Sequence, residues 1–175
     1  LINAFHFNYA KDDDNLKNKT ISLLNIGASM SNLNILENGL PVLSRDIYIA
    51  GNNLIQKIKD SGIDFKSSEE LKLNTDENAK VVAAAEPVLS DFTKEVRTSF
   101  DYYESQGASS VIQIFLSGGG SKFPGLKDML ANLLGIAVEY WDPLRQIKIA
   151  ETIDSKEVEA LSAQLAVAVG LALRR

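Results

Sequence analysis

The sequence has no cysteine, which excludes disulfide frameworks, thiol nucleophiles and thiolate metal sites. Its single histidine, His6, cannot build a histidine-rich metal cluster. No run of about 18 apolar residues is present, so no segment reads as a membrane span, and no basic stretch precedes an apolar one as in a signal peptide. Positive charge is also short: 18 Lys and Arg stand against 23 Asp and Glu, a formal net charge of -5. Such a balance argues against nonspecific nucleic-acid binding, which needs a basic face. What remains is 175 residues, 45% hydrophobic and 23% charged, the size and composition of one compact domain. The chain opens at Leu1 rather than Met and reads as an excised cytoplasmic domain.

Leu1 to Ala10 shows poor alternation and runs into Lys11-Asp12-Asp13-Asp14-Asn15, a polar stretch that reads as surface loop, so the first ordered signal is expected from Thr20. There Ile21, Leu23, Leu24 and Ile26, then Leu33, Ile35 and Leu36, then Val42, Leu43, Ile47 and Ile49 spell three short strands. Asn38-Gly39 between the last two is a tight-hairpin dipeptide and predicts antiparallel pairing. Leu54, Ile55 and Ile58 repeat at helical spacing up to Ser61-Gly62, and Ser67-Ser68 before Glu69-Glu70-Leu71-Lys72 predicts a second short helix. Apolar residues three or four apart predict a helix over 79–103, which Pro87 either kinks or divides.

Val111 to Leu116 is a continuous apolar run, read as a strand buried on both faces, and it stops at Ser117-Gly118-Gly119-Gly120. A helix through Leu126 to Leu133, a strand Ala137 to Tyr140 and a loop at Asp142-Pro143 follow. Ser155-Lys156-Glu157 opens a last helix expected to reach Leu173 and, being nearly apolar from Ala163, to be buried. The alternation is that of an α/β domain.

Two glycine-bearing loops follow apolar strands: Gly27-Ala28-Ser29 and Gly118-Gly119-Gly120-Ser121. Neither completes a Walker A or a Rossmann fingerprint. A glycine turn between strands lets backbone N–H groups approach an anion, and Ser29 adds a hydroxyl; equally, it is an ordinary tight turn. Three glycines after a buried strand let a flat ligand lie on the backbone, with the following helix presenting its positive end, or they serve close helix-to-strand packing. Arg45-Asp46 reads as a local charge pair or plain surface charge, and Lys122 as a phosphate or ribose contact or surface charge. Tyr102, Tyr103 and Trp141 are aromatic surface or core.

The two loops in this order carry a resemblance. Leu23-Leu24-Asn25-Ile26-Gly27-Ala28-Ser29 resembles the second phosphate motif of the actin, Hsp70 and sugar kinase superfamily. Phe115 to Ser121 with Pro124-Gly125-Leu126 resembles its adenosine motif, and Gln164 to Ala172 its closing helix. Within the superfamily, Asn38 to Val42, Ser44 to Ile47 and Ala50-Gly51-Asn52-Asn53 look most like the type IV pilus assembly family PilM, with FtsA as a cousin.

The resemblance implies an actin-like, ribonuclease H-like half with a mixed central sheet, flanking helices and a small helical subdomain. The core would be 1–50 and 99–175, and the smaller inserted part 51–98. It implies half of a cleft for ATP with Mg, contacted by Asn25, Gly27, Ala28, Ser29, Gly51, Gly118, Gly119, Gly120, Ser121 and Lys122. Glu69 and Lys72 resemble the pair that addresses ribose and adenine. Many relatives have aspartate where Asn25 stands; asparagine keeps the shape without the charge, so strong hydrolysis is not expected. The implied function is an ATP-responsive cytoplasmic scaffold, peripheral at the inner membrane through PilN-like and PilO-like partners, with self-association open. The PilN tail would dock mainly on the half absent here. An FtsA-like filament-forming tether would end in an amphipathic membrane helix, whereas this sequence ends at Leu173-Arg174-Arg175; a sugar or acetate kinase half would need an acceptor-site base, and none stands out.

Overall fold

The structure, a computed structural model, describes residues 1–10, 16, 18–63 and 75–174. The expected loop at 11–15 and the expected helix around Glu69–Lys72 lie outside the described residues.

Five strands form one mixed sheet in the order β3-β2-β1-β4-β5: β1 (Thr20–Ile26), β2 (Ser31–Glu37), β3 (Leu40–Ile47), β4 (Gln113–Ser117) and β5 (Ala137–Tyr140). The first three are an antiparallel meander, and β4 pairs parallel with both β1 and β5. Asn38 and Gly39 both take positive φ, 53° and 79°, as the tight turn between β2 and β3 demands. Pro41, which lacks an N–H, sits on the edge strand β3, beside a register shift at Ile35/Leu36. Every residue of β1 is buried. Its side chains alternate between two cores: Leu24 and Ile26 point to one, Ile21 and Leu23 to the other.

The first core is covered by α2 (Gly51–Asp60), α3 (Thr75–Glu104) and α4 (Leu126–Leu134). Residues 75–104 form a single helix with Pro87 inside it. Its buried side Val81, Ala85, Leu89, Phe92, Val96, Phe100 and Tyr103 recurs every three or four residues, each large apolar group contributing about 1.5–3 kcal/mol by leaving water. The second core joins Phe5, Ile21, Leu23, Leu36, Phe115, Trp141, Ala166 and Val169.

Three expectations are corrected here. Residues 1–10 are not a lead-in to a loop: Ile2–Phe5 is a helical turn, α1, that continues as a π-helical turn, His6–Ala10. Tertiary contact adds what local propensity does not: Phe5 stacks on Tyr9 one turn on, at 5.2 Å, and meets the distant Phe115 and Trp141. Buried Asn8 donates to the Ala4 and Pro143 carbonyls, both at 2.8 Å, and accepts from Gln146 N–H at 2.8 Å.

The last helix is broken. It comprises α5 (Ser155–Leu161), a 3-10 turn (Ser162–Leu165) and α6 (Ala166–Ala172). The turn's Ala163 carbonyl accepts Gly118 N–H at 2.7 Å, a bond to the glycine loop that draws this stretch towards it. Only one face of α6 is buried, Ala166, Val169 and Gly170, while Val167 and Leu171 are exposed. A Cβ at Gly170 would sit 3.4 Å from Leu1 N and 3.6 Å from Ala4 Cβ, so small residues let α6 lie close to α1.

Finally, Arg45 does not pair with Asp46. It forms an ion pair with Glu95 on α3 and donates to Ser99 Oγ at 2.9 Å, because neighbouring side chains on a strand point to opposite faces. Asp46 accepts instead from Asn32 Nδ2 on the other face, at 2.6 Å.

Trp141 and Tyr103 are core residues, and Tyr102 is exposed. Burial, with the Glu37 carboxylate adding to it, pushes the Tyr103 hydroxyl pKa above its ordinary value of 10.0. A raised folded-state value leaves stability intact below the unfolded pKa and removes it as pH rises through the folded one. Thermal unfolding from pH 9 to 11 is therefore expected to show a loss above about pH 10 that is smaller in Tyr103→Phe than in the parent.

Candidate functional site

Strands β1 and β4 lie side by side and run the same way, with Asn25 opposite Ser117. Their carboxyl ends therefore deliver the two glycine loops to one edge of the sheet, where ligands of open α/β sheets bind. The first loop is held by Gly27 N–H donating to Met30 O at 3.1 Å, and a Cβ at Gly27 would lie 2.7 Å from that oxygen. The start of α2 docks onto this loop: Gly51 N–H donates to Gly27 O at 3.0 Å and Asn52 N–H to Ala28 O at 2.8 Å. A Cβ at Gly51 would come within 3.2 Å of Gly27 O, so glycine permits the close approach.

In the second loop Gly118 has φ 87°, and a Cβ there would fall 2.3 Å from Ile26 O. No α-helix follows the three glycines directly: Gly118 caps a 3-10 turn, Gly119–Lys122, that holds the other two, and α4 begins only at Leu126. The expected helix end behind the triad is therefore one short turn, too brief for a macrodipole of any size. Ser121 is fully buried and donates its hydroxyl to Gly118 O at 2.7 Å, closing the turn on itself. Tyr140 donates to Ser121 O at 2.9 Å, and burial, with Asp128 nearby, raises its pKa above the ordinary value.

Between the loops opens a cleft of about 270 Å³. Gly27, Ala28, Gly51, Gly119, Gly120 and Lys122 line it, together with Asn52, Gln164 and the apolar Leu54, Ile55, Ile58, Phe123, Pro124 and Leu161. Apolar walls with a few polar groups and bare backbone suit a flat ring bearing polar substituents. Lys122 Nζ donates to the Ala160 carbonyl across the cleft mouth.

Four further residues flagged in the sequence are not part of the cleft lining. Asn25 is buried and accepts from Ser117 Oγ at 3.3 Å; Ser29 accepts from Asn52 Nδ2 at 3.3 Å; Gly118 and Ser121 hold the loop's shape. Glu69 and Lys72 lie outside the described residues. Sequence reasoning did not assign Gln164 to the site, although it is the one polar side chain in the run Ala163 to Leu173, a signal that it faces something other than the core. The hydrophobic wall from α2 carried no separate signal, because Leu54 and Ile58 also belong to the core.

A larger concavity, about 500 Å³, lies between α6 and the outer face of β2 and β3, lined among others by Asn32, Asn34, Asp46, Val167 and Leu171. It contains no glycine loop and no strand terminus, and the chemistry of backbone and converging loops belongs to the smaller cleft. Among the described residues, no group of three or more His, Asp or Glu could hold a metal ion and no helix is long and apolar enough to cross a membrane.

The sheet order, the two loops and the cleft between them define an actin-like fold. Two solved actin-like proteins share it: MreB5 of Spiroplasma citri bound to AMPPNP (14% identity, TM-score 0.58, 98% of this chain and 56% of that one) and Ta0583, an archaeal actin homolog (14%, 0.54, 97% and 51%). A PilM–PilN type IV pilus biogenesis complex is more similar, at 26% identity and TM-score 0.79, over 98% of this chain and 50% of the matched one. The chain belongs to the type IV pilus assembly protein PilM family, whose family model matches residues 2–175. It spans about half the length of the solved PilM chain.

The triad's glycines are not equivalent. A Cβ at Gly119 would rest 3.6 Å from the Gln164 side chain, ordinary contact, whereas one at Gly120 would lie 2.6 Å from Ile26 Cγ2 and 3.0 Å from Gly27 O. Gly118→Ala is expected to lower stability by roughly 3 kcal/mol or more, combining left-handed strain with a backbone clash, and Gly119→Ala by less than about 1 kcal/mol. Denaturant unfolding of the two variants checks the contrast.

Proposed function

We propose that this chain supplies half of an ATP cleft in a scaffold protein for type IV pilus assembly. The observation that carries the reading is the convergence of both glycine loops, from adjacent parallel strands, on one cleft whose remaining wall is apolar. In this reading Gly27-Ala28-Ser29 faces the phosphates through its backbone, and Gly119-Gly120 carries the adenosine. Lys122 and Gln164 address polar groups at the mouth. By the sequence resemblance, the ribose and base are assigned to Glu69 and Lys72, which lie outside the described residues.

The bare glycine backbone suits such a ligand, since a side chain at Gly119, whose Cβ would stand beside the cleft-lining Gln164, would occupy the surface on which it lies, while Gly120 lets the loop pack against Ile26 and Gly27. Magnesium enters only as the nucleotide's companion. Asn25 offers a neutral oxygen, already engaged by Ser117, at the strand end where a carboxylate would favour metal-bound water, so the role assigned is nucleotide sensing rather than rapid hydrolysis. We place the core in 1–50 and 99–175 and the smaller helical part in 51–98.

The solved relative in complex with PilN supports a PilN-like partner; the PilO-like partner rests on the sequence resemblance alone. We assign the protein to the cytoplasmic side of the inner membrane, held there through these partners, with the PilN tail mainly on the half outside this chain.

Calorimetric titration of Mg-ATP tests the nucleotide role. The full-length protein is expected to bind and this chain alone to bind much more weakly, while Gly119→Asp, whose Cβ has room, is expected to fold normally yet abolish binding by placing a carboxylate on the ligand surface. A full-length protein that ignores ATP would contradict the proposal.

A further inference from the structure

The cleft wall formed by Ala160, Leu161 and Gln164 is tied to a part of the molecule that the nucleotide reading leaves unused. Phe5, Tyr9, Phe115 and Trp141 form one aromatic cluster in the second core, with Trp141 edge-on to Phe5 at 5.3 Å and to Tyr9 at 6.0 Å. Trp141 is 3% exposed and is the sequence's one tryptophan.

From this cluster a connected series of hydrogen bonds runs to the glycine loop. Asp142 N–H donates to the Tyr9 hydroxyl oxygen at 2.9 Å. The Asp142 Oδ1 accepts Leu144 N–H at 2.9 Å and Ser162 Oγ–H at 3.1 Å. The next residue, Ala163, accepts Gly118 N–H at 2.7 Å. Ser162 and Ala163 belong to the 3-10 turn that also carries Gln164 into the cleft. Asn8 steadies the near end through its bonds to Pro143 and Gln146. One carboxylate oxygen thus links the turn to the aromatic cluster.

Building on the nucleotide reading, we propose that Asp142 is a positioning residue that couples the Ser162–Leu165 turn, and with it Gln164 and Gly118, to the aromatic cluster, so that filling the cleft is felt at Trp141. Removing the carboxylate leaves Ser162 Oγ to water and lets the turn drift from Gly118. Asparagine keeps an acceptor oxygen in the same place. Asp142 is exposed, so the substitution opens no core.

The test uses the full-length protein carrying fluorotryptophan at position 141, with calorimetry and fluorine NMR on the same Mg-ATP titration. The parent is expected to show binding heat and a shifted or broadened Trp141 resonance. Asp142→Ala is expected to bind roughly three- to ten-fold more weakly, the effect of losing one net hydrogen bond, with a reduced Trp141 response at saturation; Asp142→Asn restores both. Heat without any Trp141 response in the parent, an Asp142→Ala protein matching the parent in both readouts, or no restoration by asparagine overturns the coupling and leaves the nucleotide reading standing. No heat in the parent overturns the nucleotide reading, and the coupling with it.

Discussion

The parallel pairing of β1 with β4 is the constraint on which the rest of the site depends. It puts two loops separated by about ninety residues of sequence at adjacent strand ends, with Asn25 beside Ser117. Neither loop has a ligand surface on its own. Gly27 is pinned by Met30 O and Gly51, and Gly118 and Gly120 are pressed against Ile26 and Gly27. The glycines therefore do two jobs: some let backbones meet, and Gly119, which has room, leaves the cleft surface bare.

Packing on the two faces of the sheet is unequal in kind. One face is closed by α2, α3 and α4 around long apolar rows, the other by short helices and an aromatic cluster. The second face carries the elements that reach the cleft from behind, because the turn between α5 and α6 bonds to Gly118. Exposed Val167 and Leu171 show that α6 is finished on one side only.

Much of this was legible in the sequence, for physical reasons. The apolar residues Ile21, Leu23, Leu24 and Ile26 mark one strand, the denser run Val111 to Leu116 marks another buried on both faces, and Asn38-Gly39 marks the hairpin, because few dipeptides tolerate positive φ twice. The long helix was legible because its apolar period is sustained from Val81 to Tyr103 and Pro87 did not outweigh it. The N-terminal helical turns were not, since two aromatic contacts and the Asn8 hydrogen bonds hold them, and those partners lie about 110 to 140 residues away. The break at Ser162 was hidden for a similar reason: local propensity favours a continuous helix, and a tertiary bond to Gly118 is what the turn makes instead. In the site, the residue types of both glycine loops were visible, but which glycines are bare and which are packed depends on φ and on neighbours; away from the site, Arg45 and Asp46 part company because a strand sends them to opposite faces.

The central claim is that one cleft, between the two glycine loops, is where the nucleotide binds. Hydrogen–deuterium exchange of the full-length protein with and without Mg-ATP tests it most directly. The account predicts joint protection of residues 27–29, 51–55, 118–122 and 160–164. Protection confined to β2, β3 and α6, around the larger concavity lined by Asn32, Asp46 and Leu171, would contradict it.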